Sequence, residues 1–508
     1  MATYFSLLME ASAGSSTFLE RSVELSTNNI QLGIVRGISY GLFGKPDVFM
    51  PQARALGARL LRLYFFWGQV EPLPGTYDWT VVDRFLEQLE PDDEVWVTVC
   101  SSSRWATREA TDFLPPSPAR DPAAYREFVR RLVRRCAGRV RYWQCDNEPS
   151  NIGLLWAGTA PEYVAQLGAF HAAVHESDGG ALVVLGGCGY DVLSSEANSP
   201  QRQFFRHLVD AGRDAFDVFD VHLYGDPYRV PEYVETARAL MHGCGYEKPV
   251  VAGEYAGPAL FEFPEAERAM QGALADIFAA PPGSRSTDAL KEQARQETPE
   301  RRAMRALYAR MPELPPRLQM FMAGCPPELE TRRHRIACRQ LIMRNMLAAA
   351  AGVRRTLYWN LAPEVPGPVD PYAIMHLLIG KLPLLDYCDG RIERRYPEAD
   401  AFERLGCLLM RAVRVDRLEL SGCPAIYAFR VECVDAAPVL VVWERRDAFD
   451  GECAAPVAVT MPWSASGAHV VDVFGETHIA DVHDGAVRLP VTDTPLFMSE
   501  DVADALDT

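Results

Sequence analysis

From about Gln31 to Leu361, short runs of apolar, β-prone residues alternate with longer amphipathic stretches, the pattern that repeated βα units impose on a chain. Eight such runs can be counted: Gly33 to Ser39, Ala58 to Phe66, Glu94 to Cys100, Val140 to Asn147, Ala181 to Cys188, Phe216 to Tyr224, Pro249 to Tyr255 and Arg355 to Trp359. Eight strands with helical material between them exceed what most doubly wound sheets need, so the pattern predicts an α/β fold of the (β/α)8 TIM-barrel type. Asp121 to Cys136 reads as one of the outer helices, opened by Asp-Pro and carrying Tyr125, Phe128, Val129 and Leu132 at helical spacing.

Two stretches depart from the repeat. Between the seventh and eighth runs, 261–330 is long and rich in Arg, Glu, Ala and Pro, which predicts a helical insertion, either an inert excursion or a lid over one face. It precedes a helix with Ile336, Met343, Leu347 and Ala350 on one stripe. Past Leu385, short strand-like segments follow one another between turn residues: Ala425 to Val431, Val439 to Trp443, Val457 to Met461, His469 to Phe474 and Ala486 to Pro490. They predict a C-terminal antiparallel β-sandwich. The expected organisation is an N-terminal extension over 1–30, with Phe18 to Leu25 offering an edge strand, a catalytic barrel over 31–384 and a sandwich over 385–508.

Composition narrows the function. The chain has 508 residues, 48% hydrophobic and 23% charged, an ordinary folded balance with room for a barrel and a second module. Its 51 Lys and Arg against 68 Asp and Glu leave a net charge of −17, a field that repels phosphate backbones and anionic membrane surfaces. Nucleic acid is therefore not an expected partner, and no apolar run reaches the ~18 residues of a membrane span. Glu10 interrupts the apolar Tyr4 to Met9 stretch and no basic segment precedes it, which points to a cytoplasmic protein. The 12 cysteines form no CxxC pair and no zinc spacing with His, so reduced core thiols are expected, and neither metal nor cofactor.

In a TIM barrel, reacting groups stand at the C-terminal ends of strands. Two of the runs end in glutamate. Period-two alternation along Val140 to Glu148 puts Tyr142, Gln144, Asp146 and Glu148 on one face, and along the seventh run it puts Val250, Ala252 and Glu254 together. Glu148 would crown strand four and Glu254 strand seven, facing each other across the mouth. A glycosidic bond needs that pair: one carboxylic acid to protonate the leaving oxygen and one carboxylate to attack the anomeric carbon or direct water at it. Asp220, His222 and Tyr224 share the polar, hence inward, face of strand six. Arg62 inside strand two would be a costly charge unless it had a partner. Trp67, Trp105 and Trp156 follow strands two, three and four, where an indole can stack on a sugar or cap the core, and Trp105 is taken as the sugar-binding candidate. Trp79 reads as packing.

Arg62 to Trp79 (with Trp67, Glu71-Pro72, Gly75 and Tyr77-Asp78-Trp79), Asn147-Glu148-Pro149, His222-Leu-Tyr224, Gly253-Glu254-Tyr255 and Tyr358-Trp359-Asn360, in that order, resemble the retaining glycoside hydrolases of clan A. With the appended sandwich the layout is similar to family 39 and its neighbours, over roughly 31–508 apart from the insertion. The resemblance implies that Glu148 is the general acid/base, Glu254 the nucleophile and Asn147 a partner of the sugar 2-hydroxyl. It also implies that Arg62 and Tyr224 hold Glu254 ionised, and that Trp359 forms the platform under the sugar at the cleavage point. The chain departs from the pattern at Cys145-Asp146 and at Gly253 and Tyr255, which bears on the substrate more than on the reaction.

Taken together, the sequence reads as a retaining β-glycosidase acting on an oligosaccharide or glycoside without a cofactor, with Glu148 expected to have a raised pKa opposite an ionised Glu254. Two alternatives stand beside it: a barrel that binds carbohydrate without turnover, and a transglycosylase using the same glutamates.

Overall fold

The computed structural model describes residues 30–500 apart from 281, 282, 284, 365–371, 389 and 390; the strand expected at Phe18 to Leu25 lies outside the described residues. Each of the eight apolar runs forms a strand: β1 (Gln31–Val35), β2 (Leu60–Phe66), β3 (Glu94–Cys100), β4 (Tyr142–Cys145), β5 (Leu182–Val184), β6 (Phe219–His222), β7 (Val250–Tyr255) and β8 (Arg355–Trp359). They pair in parallel in the order β5-β4-β3-β2-β1-β8-β7-β6. The bridges Val184 to Val218 and Cys188 to Val221 join β5 to the β6 segment and close the ring. The fold is a (β/α)8 barrel.

β4, β5 and β6 are shorter than their apolar runs, because the flanking residues leave the ladder for the mouth or the bottom rim. The alternation expected through Glu148 fails there for the same reason. The ladder stops at Cys145, and Asp146 (φ 55°) and Glu148 (φ 39°) adopt left-handed backbone. Asp146 does not share the inward face with Gln144: its carboxylate accepts from the Ser101 amide at 2.7 Å and from Gln166 of an outer helix at 3.1 Å.

The outer helix spans Pro122–Cys136, with the Asp121 carboxylate capping the Ala123 amide at 2.9 Å and Tyr125, Phe128, Val129 and Leu132 buried. Helix Pro327–Ala350 has more than the one expected apolar stripe. Arg333, Arg339 and Arg344 are as buried as Ile336 and Met343, whereas Ala350 at its end is exposed. It is enclosed by barrel, insertion and sandwich, so its polar face also finds partners, such as Glu262 for Arg344 at 2.7 Å.

Between β7 and β8 the chain forms helices Pro264–Ala279, Thr287–Gln293, Pro299–Ala309 and Pro316–Gln319. Phe263, Met270, Leu274, Met304, Leu307 and Phe321 give this segment its own small core, completed by Ile374 and Leu377 beyond β8 and by Phe449 of the C-terminal region.

After a hairpin of β9 (Leu385–Cys388) and β10 (Arg391–Arg395), helix Pro397–Arg411 packs Phe402, Leu405 and Leu409 into the barrel core. The C-terminal sandwich itself is built from strands that begin at Ala412. One sheet has the order β11 (Ala412–Leu418), β12 (Ile426–Cys433), β13 (Val439–Glu444), β19 (Leu496–Ser499), β15 (His469–Asp472), β16 (Thr477–Ile479); the other is β14 (Val457–Pro462), β18 (Ala486–Val491), β17 (Val482–His483). Ile426, Leu440 and Val442 of the first sheet share a core with Val459, Met461, Val487 and Leu489 of the second. The Trp443 indole donates to the Tyr228 hydroxyl at 3.1 Å and ties the sandwich to the loop after β6. Among the described residues no helix is long and apolar enough to cross a membrane.

Candidate active site

Arg62, in the middle of β2, is fully buried and points into the barrel. A guanidinium has five N–H donors, and each one here has an acceptor. Nε donates to Thr98 Oγ1 (3.0 Å), Nη1 to the Gly253 carbonyl (2.9 Å) and Glu254 Oε1 (3.0 Å), and Nη2 to Gln144 Oε1 (2.6 Å) and Asn147 Oδ1 (2.7 Å). One cation thereby fixes side chains from β3, β4 and β7 and the turn after β4. Burial opposes its charge, but Tyr64, Glu254 and Asp220 outweigh that and hold Arg62 above the usual arginine range.

Glu254, the last residue but one of β7, has its carboxylate saturated by donors. Besides Arg62, Tyr64 donates to Oε1 at 2.8 Å and Tyr224 to Oε2 at 3.1 Å. Burial and the charge of Glu254 raise both tyrosines well above their ordinary pKa, Arg62 opposing this, so both remain neutral donors. The glycine at 253, one of the departures from the family pattern, has a steric reason. A Cβ on Gly253 would lie 2.5 Å from the Asp220 carboxylate, whose Oδ1 accepts the Gly253 amide at 2.6 Å.

Glu148 is differently placed. Its turn carries it to the rim, where Oε1 meets His222 Nδ1 at 2.6 Å, and Nδ1 is also 3.4 Å from Glu254 Oε2. One ligand atom from each of Glu148, His222 and Glu254 lies within 4.8 Å of the other two, so the carboxylates do face one another across the mouth. His222 Nε2 meets Asp220 Oδ2 at 3.2 Å, and that same oxygen accepts Gln144 Nε2 at 2.7 Å. With a carboxylate at each ring nitrogen, the imidazolium form satisfies both contacts. Although burial opposes protonation, Glu254, Asp220 and Glu148 push the His222 pKa up to about 10.

The structure thus brings Arg62, Asn147, Glu148, His222, Tyr224 and Glu254 into one bonded cluster. Trp359, at the end of β8, adjoins the cluster through Tyr64, the two rings edge-on at 6.3 Å. Trp105 stands apart: it edges onto Trp67 at 5.6 Å and donates to the Glu71 carbonyl at 2.9 Å, with no bond to the glutamate pair among the described residues. Trp67 and Trp156 are fully buried core residues. Sequence reasoning missed Tyr64, Thr98 and the role of Gln144 as the joint between Arg62 and Asp220. Tyr64 stands two positions from Arg62 on the same strand, so alternation alone put it beside Glu254.

The segment after β7 reaches across this mouth. The backbones of Leu114 and Arg285 exchange hydrogen bonds at 2.7 and 3.5 Å, Asp112 accepts from the Thr287 amide (2.9 Å) and hydroxyl (2.6 Å), and Arg104 pairs with Asp288 at 2.6 Å. Residues 104–114 follow β3, which is half a barrel away from β7. Phe261 stacks on Tyr190 of the loop after β5 at 4.3 Å.

The raised His222 pKa has a stability consequence. A buried histidine raised from 6.5 to about 10 contributes stability that is fully present below pH 6.5 and is lost as pH climbs toward 10. The difference in thermal midpoint between the natural protein and His222→Asn should therefore be large at pH 6.5 and shrink steadily by pH 10. A difference independent of pH over that window would mean that His222 is neutral in the folded protein.

No protein-family model and no curated protein matches the chain in sequence. Solved structures do match in fold. A family 39 glycoside hydrolase from Bacteroides cellulosilyticus WH2 superposes with a TM-score of 0.59 at 13% identity, covering 93% of this chain and 81% of its own. A glucosidase from Croceicoccus marinus gives 0.54 at 14% identity, with 93% and 95% covered. A monomeric beta-xylosidase from Caulobacter crescentus CB15 gives 0.53 at 12% identity, with 93% and 97% covered. The barrel and its appended sandwich are an architecture shared with family 39 glycoside hydrolases.

Proposed function

We propose that the chain is a retaining glycoside hydrolase in which Glu254 is the nucleophile and Glu148 the general acid/base. The observation that carries this reading is the unequal dress of two identical side chains. Glu254 is clamped by Arg62, Tyr64 and Tyr224, three donors that stabilise an anion, whereas Glu148 meets His222 at the open rim. One carboxylate oxygen of each lies within 4.8 Å of one of the other, a proximity that favours the retaining arrangement, whose carboxyl groups stand ~5–5.5 Å apart, over the wider inverting one at ~6.5–9.5 Å. The family 39 hydrolase, the glucosidase and the beta-xylosidase that share the fold support the same reaction class.

The chemistry follows from the bonding. A Glu254 oxygen attacks the anomeric carbon while Glu148 gives its proton to the departing glycosidic oxygen, so the C–O bond to the aglycone breaks as the ester to Glu254 forms. Water, deprotonated by Glu148, then cleaves the ester with retained configuration. Imidazolium His222, bonded to Glu148 Oε1, keeps a proton at the acid/base site. Asn147, held by Arg62, is the partner for the sugar 2-hydroxyl, and Trp359 is the platform beneath the ring. A protein that only bound sugar would have no need of two carboxylates facing each other.

Glu254→Ala should lower kcat by roughly 10⁴-fold or more, with azide restoring turnover to an inverted product. Glu148→Ala should cost about 10²–10⁴-fold on alkyl glycosides and far less on a nitrophenyl glycoside, whose leaving group needs no proton. Near-natural rates for Glu254→Ala, or equal losses on both substrates for Glu148→Ala, would remove the respective role.

The strap from β7 to the loop after β3 supports action on short chains or chain ends, because it joins loops on opposite sides of the mouth. Asp112→Ala combined with Arg104→Ala loosens it, leaving only the backbone bonds between Leu114 and Arg285 at this junction. The expected result is unchanged hydrolysis of small aryl glycosides with a rise in relative activity on longer oligosaccharides; an unaltered chain-length profile in the folded variant would show that the strap does not shape the substrate.

A further inference from the structure

The barrel carries a second group of ligating side chains, at the end away from the glutamates. Helix Ala160–Ser177 follows β4 and runs back toward the bottom of the barrel. Near its C-terminus, His171 and His175 stand one turn apart on the same face, their rings 4.4 Å apart at 63°. Asp217 sits in the segment that enters β6 and turns its carboxylate toward them, Oδ2 lying 3.0 Å from His175 Nε2. One ligand atom from each of the three residues lies within 4.8 Å of the other two. All three are half-buried, so the group has protein on one side and water on the other.

From this juxtaposition of His171, His175 and Asp217 we propose a divalent-metal site of the zinc type, completed by water. Two imidazoles and one carboxylate are a donor set that suits Zn²⁺, and tetrahedral coordination at ~2.0–2.1 Å sets its ligand atoms a little over 3 Å apart. The His175–Asp217 pair stands at 3.0 Å as a hydrogen bond, so an ion replacing the shared proton would part the two atoms only slightly. His171 makes no hydrogen bond to protein among the described residues, so its free ring nitrogen can turn to the ion without breaking one. Asp217 is oriented from behind, since Oδ2 also accepts the Val183 amide of β5 at 2.7 Å, the kind of outer bond that fixes a metal-binding carboxylate. The neighbouring Lys248 ammonium donates to the carbonyls of Arg213 and Phe216, which fix it on the backbone. An ion here would link the helix after β4 to the β5–β6 junction, where the ring is closed by isolated bridges and not by a full ladder. Its role is therefore in stability, at the barrel end remote from the glutamates.

The test uses the full chain, freed of metal with a chelator and titrated with Zn²⁺ by calorimetry and Co²⁺ by absorption. One equivalent of Zn²⁺ should bind, raise the thermal midpoint and leave aryl-glycoside turnover unchanged, and Co²⁺ should show the visible bands of a low-coordinate nitrogen-oxygen site. His171→Ala should weaken that binding at least about 100-fold, and His171→Gln, which preserves more of the packing, should do the same. Binding of equal strength in both variants would place the ion elsewhere, and zinc that inhibits turnover would assign it to Glu148, His222 and Glu254 instead. Either result, or no binding to the natural chain, overturns the site.

Discussion

A fully buried arginine constrains everything else at the mouth of this barrel. Removing a guanidinium from water is expensive unless every donor is met, and Arg62 meets all five with groups from β3, β4, β7 and the turn that carries Asn147. Gln144 passes the constraint on by accepting from Arg62 and donating to Asp220, and Asp220 in turn holds His222 and the Gly253 amide. The network therefore ends on Glu254 from one side and on Glu148 from the other. Two ionised carboxylates at this distance would repel each other strongly in a partly dry pocket; Arg62 offsets the charge of Glu254, and the proton held between His222 and Glu148 offsets the other.

The division of labour between strands and loops follows from this. Groups that must be fixed, Arg62, Tyr64, Gln144, Asp220, His222 and Glu254, stand on strands whose register is set by the barrel. The segments that rim the mouth lie outside the strands: Trp105 after β3, Tyr190 after β5 and the helical strap after β7. The strap has its own core around Phe263, Met304 and Phe321, which lets it cross the mouth without borrowing packing from the strands beneath.

The barrel was legible in the sequence because each of its strands is buried on both faces and so appears as an apolar run between amphipathic helices, and Arg62 and Glu254 stood out as charges within such runs. Alternation carried Asp220 and His222 to one face of β6, with Tyr224 two residues beyond the strand still turned to Glu254, even though the β6–β7 register shifts between Asp220 and His222. It failed for Asp146, where the backbone turns left-handed one residue past the end of β4, a change no period-two pattern contains. The helix Pro327–Ala350 was under-read for a related reason: surrounded on every side, it buries arginines that look like a solvent face. The bonds joining Gln144 to Arg62 and Asp220 cross three strands and exist only after the ring has closed.

The central claim is that the electrostatic clamp on Glu254 makes that oxygen the one that bonds to sugar. A 2-deoxy-2-fluoro glycoside with a good leaving group slows the second step and traps the ester, so digestion of the inactivated protein and mass spectrometry locate the bond. The account predicts one equivalent of fluoroglycosyl label on the peptide containing Glu254, released slowly in buffer and faster with a sugar acceptor. Label on Glu148, or inverted product with no trapped ester, would contradict it.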